Sequence, residues 1–324
     1  MADEANWKTE LLASNLPLEF EAAGVLVSAG FTVDSDFRYT WVDAEAGREA
    51  AIGIRATGLP PFADPEQATG TLDLLLQCRY RPPGAGWLFL PDPNPPDRSP
   101  ATLGHTIRMV DAFSLFSVDA KAAVAFDVGQ SICHKGLEID VATGDVSETE
   151  LTRGLEQLRY ALPRLLIENV RRCLNGGIQQ SVPLLFCPIL LTSAELFVAD
   201  KGLSEMDVAG ASDLGELATA VPYAIFYSGY SPGLQAHCTR EFRQLEPLAR
   251  SDKFTTIEDR RARHFKTERE LPYAIIESLI AGDPYWLHRL FTQFIVCTKS
   301  ELPALVDAVK QTAVSAMQSR RQLP

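Results

Sequence analysis

The sequence predicts an α/β protein in which a mixed central sheet is flanked by helices. Three observations indicate this class. Segments with helical spacing of apolar residues alternate with short runs rich in β-branched and aromatic residues. The run over residues 182–192 is apolar on both faces, as is typical of a strand inside a sheet. A chain of 324 residues with 46% hydrophobic residues can also bury a large core.

The first elements are a helix and a hairpin. Apolar residues recur at helical spacing over residues 16–29, and Gly30 is a typical helix stop. Residues 38–42 are aromatic and β-branched, and residues 49–56 return after an acidic turn that contains glycine. We therefore expect a helix followed by two antiparallel strands.

The next elements complete a core up to residue 192. Residues 71–81 are predicted to form the third strand, and the proline-rich stretch 82–100 leaves room for a short strand at 87–90. Short strands are also expected at 124–128 and 136–141. Residues 147–175 have the longest helical pattern, with a capping-box sequence at 147–150 and Gly176 as its stop. The buried strand 182–192 follows.

Beyond residue 195 the periodicity is weaker. Strands are predicted at 223–228 and 291–298, helices at 271–280 and 303–317, and a charged stretch at 240–269. We place a boundary at residue 195, so that residues 1–195 form the core and residues 196–324 an α/β extension packed on it. Because the apolar faces of the two C-terminal helices need a surface to cover, we expect this part to mediate association, for example in a homodimer.

Composition excludes several classes of protein. No run is apolar and long enough to span a membrane, and the acidic start of the chain lacks the pattern of a secretion signal, so we expect a cytoplasmic protein without a membrane partner. The six cysteines are scattered without a C-x-x-C pair, which argues against structural zinc. The five histidines are isolated, and motifs of hydrolases, P-loop NTPases and dinucleotide-binding proteins are absent.

The balance of charge disfavours strong, autonomous binding of nucleic acid. The net charge is −12, from 42 acidic and 30 basic residues, whereas proteins that neutralise many phosphates usually carry the opposite excess. A local basic groove remains compatible with this sum. The most cationic run, residues 260–266, alternates with acids and is predicted to be a solvated helix face.

The order helix, three strands, long helix, strand across residues 16–192 resembles the core of the PD-(D/E)XK nuclease superfamily, the restriction-endonuclease-like fold. In that family the first helix carries a Glu upstream of a Gly-aromatic pair, and Glu19 precedes Gly30-Phe31 in this way. The second strand normally supplies an Asp and the third ends in Glu-x-Lys. This sequence has Gly53 at the Asp position, Gln77 at the Glu position and Arg79 at the Lys position. The resemblance covers a little over half of the chain.

The resemblance implies a degenerate active site made of Glu19, Gln77 and Arg79. The two acids of the family hold a divalent metal ion that activates water. Gly53 offers no side-chain oxygen, Gln77 offers only a neutral amide, and an arginine cannot shuttle protons as a lysine can. We therefore expect no bound metal and no cofactor. Arg55, Arg79 and Arg81 remain as candidate anion-binding residues.

Each candidate also has a purely structural interpretation. Glu19 is more often a solvated charge on a helix, and Asp73 is expected to be a turn or edge residue. Gln77 and Arg79 share one face of a central strand, where they bind either an anion or carboxylate, or belong to an internal hydrogen-bond network. For Arg79 we expect either a pair with an internal acid such as Glu19 or an open position that accepts an anion.

The functional hypothesis is a catalytically inactive binding or assembly module, related to DNA-processing nucleases, with a nucleic acid or a protein as its partner. One alternative is an active nuclease that uses Mg²⁺ in a non-standard site. A second alternative is a cytosolic α/β protein unrelated to nucleases.

Overall fold

The computed structural model describes residues 3–43, 46–95, 102–103, 106–119, 130–141, 143–177, 181–200 and 202–324. The helices in these ranges are α1 Asp3–Ala13, α2 Leu16–Ser28, α3 Thr149–Asn175, α4 Glu205–Gly210, α5 Pro232–Phe242, α6 Asp252–His264, α7 Pro272–Ala281, α8 Pro284–Phe291 and α9 Leu302–Gln318. The strands are β1 Thr32–Asp34, β2 Phe37–Asp43, β3 Ala46–Ile52, β4 Ile54–Gly58, β5 Thr71–Arg79, β6 Ala85–Pro91, β7 Thr102–Leu103, β8 Ile107–Val110, β9 Phe116–Ser117, β10 Ile132–Asp140, β11 Val146–Ser147, β12 Leu184–Thr192, β13 Glu195–Ala199, β14 Ala218–Ala220, β15 Tyr223–Tyr227, β16 Gln293–Thr298 and β17 Arg321–Gln322.

One large mixed sheet organises the part of the chain that the structure describes. Its main order is β1-β4-β5-β12-β16-β15-β10-β6-β13-β14, and β7, β8 and β11 are attached at its sides. β4 and β5 are antiparallel, whereas β5 and β12 are parallel over their whole length. The predicted α/β class, with a mixed central sheet flanked by helices, is therefore confirmed.

Two hydrophobic clusters cover the two faces of this sheet. Side chains alternate along β5, so that Leu75 faces α3 while Leu74 and Leu76 face α2 and α9. α3 buries one long apolar stripe in the first cluster, and α2 buries Leu18 and two further residues in the second. The predicted helices 16–29 and 147–175 and the predicted strands 71–81 and 182–192 are all present. Gly30 adopts φ +88 after α2, as a helix stop with no Cβ can.

The predicted strand over residues 49–56 is wrong in one respect, because the chain bends at Gly53 and forms two strands. β3 pairs with β2 in the expected hairpin, and this hairpin is a separate two-stranded sheet that packs against α3. Only β4 continues in the large sheet beside β5. A Cβ built at Gly53 would lie 2.6 Å from a carboxylate oxygen of Glu19, so a larger residue at this bend requires the Glu19 side chain to move.

The C-terminal part contributes strands to the middle of the same sheet. β16 pairs with β12, and β15 pairs with both β16 and β10, so strands from both sides of residue 195 alternate. The predicted helices at 271–280 and 303–317 are confirmed as α7 and α9. Both helices bury their apolar faces inside the chain. The domain boundary and the homodimer remain predictions.

Three smaller expectations have different outcomes. The predicted strand at 124–128 lies outside the described residues. The capping box at 147–150 does not form: Glu148 is the N-cap of α3, and its side chain makes no capping hydrogen bond. Among the described helices none is long and apolar enough to cross a membrane.

Candidate functional site

Gly53 and Gln77 flank the last pair of the β4–β5 ladder. The register of these antiparallel strands ends with Ile54 opposite Leu76, and Gly53 precedes Ile54 while Gln77 follows Leu76. Gly53 itself lies at the bend between β3 and β4, outside both strands. The two positions that carry acids in the resembled family therefore lie at the same end of this ladder.

Glu19 reaches the same point from α2. A Cβ at Gly53 would lie within 2.6 Å of Glu19 Oε1 and 3.0 Å of Glu19 Cδ, which places this carboxylate directly over Gly53. Burial raises the pKa of Glu19, although the positive charge of Arg79 acts in the opposite direction. The expectation that Glu19 is only a solvated charge is therefore wrong.

Asn15 fixes the start of α2 against the end of β5. Its backbone has φ 66, a left-handed conformation that asparagine tolerates better than most residues, and it is the N-cap of α2. Its Oδ1 accepts a hydrogen bond of 2.6 Å from the backbone N–H of Tyr80. This link joins the helix that carries Glu19 to the strand that carries Gln77 and Arg79.

Arg79 is buried beside Glu19 and is held by α3. Its Nη1 donates to the carbonyl of Cys78 at 3.0 Å, its Nη2 donates to Oε1 of Gln157, and its Nε lies 3.5 Å from a carboxylate oxygen of Glu150. Burial lowers the pKa of Arg79, and the attraction of Glu150 and Glu19 only partly opposes this effect. Arg79 therefore has two neutral oxygen partners and a more distant carboxylate partner, Glu150.

Besides Nε of Arg79, two buried polar atoms at the site have no hydrogen-bond partner among the described residues. They are Oε1 of Gln77 and the hydroxyl of Tyr39 on β2. Burial raises the pKa of Tyr39. The positive charge of Arg79 opposes this shift, and the negative charge of Glu156 adds to it. Most buried polar atoms in proteins have a hydrogen-bond partner. These two atoms therefore show that the hydrogen bonds of the site are incomplete among the described residues.

Arg55 belongs to a separate buried network below the site. Its Nη1 donates to Glu168 at 2.7 Å, and its Nη2 pairs with Asp73 at 3.2 Å. Asp73 also accepts from Thr57 at 2.5 Å and from Asn169 at 2.7 Å. Burial lowers the pKa of Arg55, but the two carboxylates outweigh it and the net shift is upward. The expectation that Asp73 is a turn or edge residue is wrong, since its exposed fraction is 0%.

Arg81 also has an internal acidic partner. Its Nη2 contacts Glu138 of β10, and the indole nitrogen of Trp87 donates to the other oxygen of this carboxylate at 2.9 Å. Arg55 and Arg81 are thus engaged inside the chain. Anion binding at Arg55, Arg79 and Arg81 remains a prediction.

An open cleft of about 810 Å³ lies at the end of β5, between α1, the start of α2 and the first turns of α3. Arg79, Arg81, Arg153, Glu150 and Gln157 are among its lining residues. Arg153 is the most exposed of these arginines, with 64% of its side chain accessible, and it lies 3.9 Å from Glu150. The cleft therefore carries three arginines against one carboxylate in a chain of net charge −12.

The sequence reasoning missed Asn15, Tyr39 and Gln157. Asn15 precedes Leu-Pro at the start of a helical pattern, which is a recognisable N-cap signal. Tyr39 lies in the predicted strand 38–42, and strand alternation predicts which residues share its face but not the surface that this face covers. Nothing local identifies Gln157, because the face of α3 that meets β5 depends on packing.

Within the described ranges no group of three or more His, Cys, Asp or Glu side chains has the geometry to hold a metal ion. Comparison of the chain with protein-family models, with curated proteins and with solved structures finds no match.

Proposed function

We propose that this chain is a degenerate nuclease-fold protein that no longer cleaves nucleic acid and binds it weakly through the cleft at the end of β5. One observation carries the proposal. Glu19 lies directly over Gly53 and near the charge of Arg79, Gly53 and Gln77 lie at the same end of the β4–β5 ladder, and together these positions contribute a single carboxylate.

The order of elements supports the ancestry. The predicted first strand, 38–42, is β2 and lies in the separate hairpin, so the order helix, three strands, helix and strand is met by α2, β1, β4, β5, α3 and β12, with the β2–β3 hairpin after β1 and β6 to β11 between β5 and α3. β1, β4, β5 and β12 are consecutive neighbours in the sheet, and α2 and α3 cover its opposite faces.

A divalent metal does not fit the residues at this point. Magnesium prefers carboxylate oxygens in near-octahedral order, whereas the two positions that carry acids in the resembled family hold a glycine and a glutamine. The buried guanidinium of Arg79 adds a positive charge close to Glu19. We therefore derive no metal-dependent step for this chain.

The cleft has the charge for contacts to phosphate. Arginine side chains suit bidentate contacts to phosphate oxygens, and Arg153 is exposed at the cleft. Glu150 competes for Arg79 and Arg153, and the acidic surface opposes polyanions at longer range. We expect the resulting binding to be weak, insensitive to sequence and strongly dependent on salt.

A reversion experiment tests the ancestry. The triple variant Gly53→Asp, Gln77→Glu and Arg79→Lys adds two carboxylates to that of Glu19, which makes three in all. Gly53 has no positive φ, and the group closest to a new Cβ is the mobile end of Glu19, so the backbone accepts the change. The control Gly53→Asn with Arg79→Lys has similar size without new acids. We expect calorimetry to show Mg²⁺ or Mn²⁺ binding in the triple variant only. A folded triple variant that binds neither ion refutes the inferred ancestry.

Direct assays test the present activity. We expect purified protein with Mg²⁺ or Mn²⁺ to leave plasmid and single-stranded DNA intact. Labelled oligonucleotides should bind. Arg153→Ala should weaken this binding severalfold and reduce the slope of log affinity against log salt concentration by about 1. The control is Arg263→Ala, an exposed arginine of α6 outside the cleft. Cleavage of DNA that Gln77→Ala abolishes would contradict the proposed loss of nuclease activity. Equal affinity of the Arg153→Ala and Arg263→Ala variants for the oligonucleotide would contradict binding through the cleft.

A further inference from the structure

A second cavity lies between α3, α7, α8 and the segment that follows β8. Its volume is about 350 Å³, which is within the range of about 300–1,000 Å³ typical of small-molecule sites. Its apolar floor includes Phe113, Leu166, Ile275 and Leu290, all of them buried. Leu166 lies nine residues beyond Gln157 on α3, roughly 13 Å along the helix axis, so this cavity is separate from the cleft.

Aromatic rings and arginines form the polar side of this cavity. Tyr285 and Trp286 of α8 are lining residues, and the guanidinium of Arg289 lies 4.7 Å and 4.8 Å from their ring centroids. Its Nη1 also donates to the hydroxyl of Tyr285. The guanidinium of Arg269 is 5.5 Å from the same tyrosine ring. Two positive charges are therefore held beside one aromatic ring.

Arg261 is held in place by hydrogen bonds to backbone carbonyls of the cavity wall. It donates to the carbonyls of Asp111 and Phe116 at 3.1 Å and 2.9 Å, and its Nη2 lies 3.7 Å from the Asp111 carboxylate. The charged lining residues are three arginines, with Asp111 and Glu270 as the two acids. The cavity is thus locally cationic although the chain has a net charge of −12.

We propose that this cavity binds a small organic anion in which a carboxylate or phosphate is attached to a flat aromatic ring. The ring lies on the apolar floor beside Tyr285 and Trp286, and the anionic group lies between Arg269 and Arg289. Both guanidinium groups lie within 5.5 Å of the centroid of the Tyr285 ring, and an anionic group that reaches them accepts hydrogen bonds from charged donors. Burial lowers the pKa of Arg289, and Tyr285 and Glu270 only partly oppose this effect.

Calorimetry with three probes of identical ring tests this site. The probes are 2-naphthoate, 2-naphthyl phosphate and the neutral 2-naphthamide. We expect at least one anion to bind saturably to the full-length protein, and the amide to bind about tenfold more weakly, equivalent to 1.4 kcal/mol. The better of the two anions identifies the anionic group.

Variants locate the binding. Arg269→Ala removes an exposed side chain, so it should fold normally and weaken the anion about tenfold. Arg289→Gln should do the same, and Arg263→Ala, on α6 but outside the cavity, should leave affinity unchanged. Failure of both anions to bind below ~1 mM overturns the proposal. So does equal affinity for the amide, or binding that neither cavity variant weakens.

Discussion

Removal of the Asp73 carboxylate tests whether the buried network below the site holds β4, β5 and α3 together. Asp73 accepts hydrogen bonds from Thr57 and Asn169 and pairs with Arg55, and its exposed fraction is 0%. Asp73→Ala therefore leaves a buried guanidinium with one acid fewer and two donors without their acceptor.

The expected loss in free energy of unfolding is about 3 kcal/mol. Breaking a buried ion pair by removing one partner costs about 3–5 kcal/mol. The lower end applies because Arg55 keeps Glu168 at 2.7 Å. A typical domain has about 5–15 kcal/mol of stability, so the variant should still fold.

Urea denaturation measures the effect, and a surface pair provides the control. Asp36 pairs with Arg38 at 2.9 Å, but both side chains are at least 60% exposed, so Asp36→Ala should cost less than about 1 kcal/mol. The double variant Arg55→Met with Asp73→Leu should lose less than the sum of its single changes, because neither member of the pair is left as an unpaired buried charge and Glu168 keeps Arg164 at 2.8 Å. A cost for Asp73→Ala no greater than that for Asp36→Ala would refute the reasoning.

Three further predictions concern other groups. Burial lowers the pKa of His237 to about 4, so its contribution to stability is present above its unfolded pKa of about 6.5 and is lost as the pH falls towards 4. Urea titrations should show a loss of roughly 2 kcal/mol between pH 7 and pH 5 that His237→Gln removes and the exposed control His264→Gln does not. Gly154→Ala should lower the free energy of unfolding by about 1–3 kcal/mol, because its Cβ would lie 2.6 Å from Leu190. Gly24→Ala, whose Cβ would have nothing within 4 Å, should raise it by about 1 kcal/mol. Thermal unfolding that ranks the two variants the other way would contradict this packing. Because burial raises the pKa of Glu19, its contribution is greatest below its unfolded pKa and declines as the pH rises through its folded pKa. Glu19→Gln should therefore be no less stable than the parent at pH 8, and a clear loss there would show that its pair with Arg79 dominates.

Patterns in the sequence predicted several of the helices and strands and their order along the chain. Helical spacing located α2, α3, α7 and α9, and the doubly apolar run located β12, because these patterns reflect which faces of an element are buried. The family resemblance singled out Glu19, Gly53, Gln77 and Arg79, and their role as a site remains a prediction.

The tertiary structure alone decided which charges are paired and where the chain turns. Asp73 and Arg55 are far apart in sequence, and nothing local shows that α3 brings Glu168 and Asn169 to them. The close approach of the Glu19 carboxylate to Gly53 also comes from another element, α2. The insertion of β15 and β16 between β12 and β10 is likewise a result of long-range strand pairing. Periodicity reports the environment of each element, whereas the identity of its neighbours depends on contacts between residues distant in the chain.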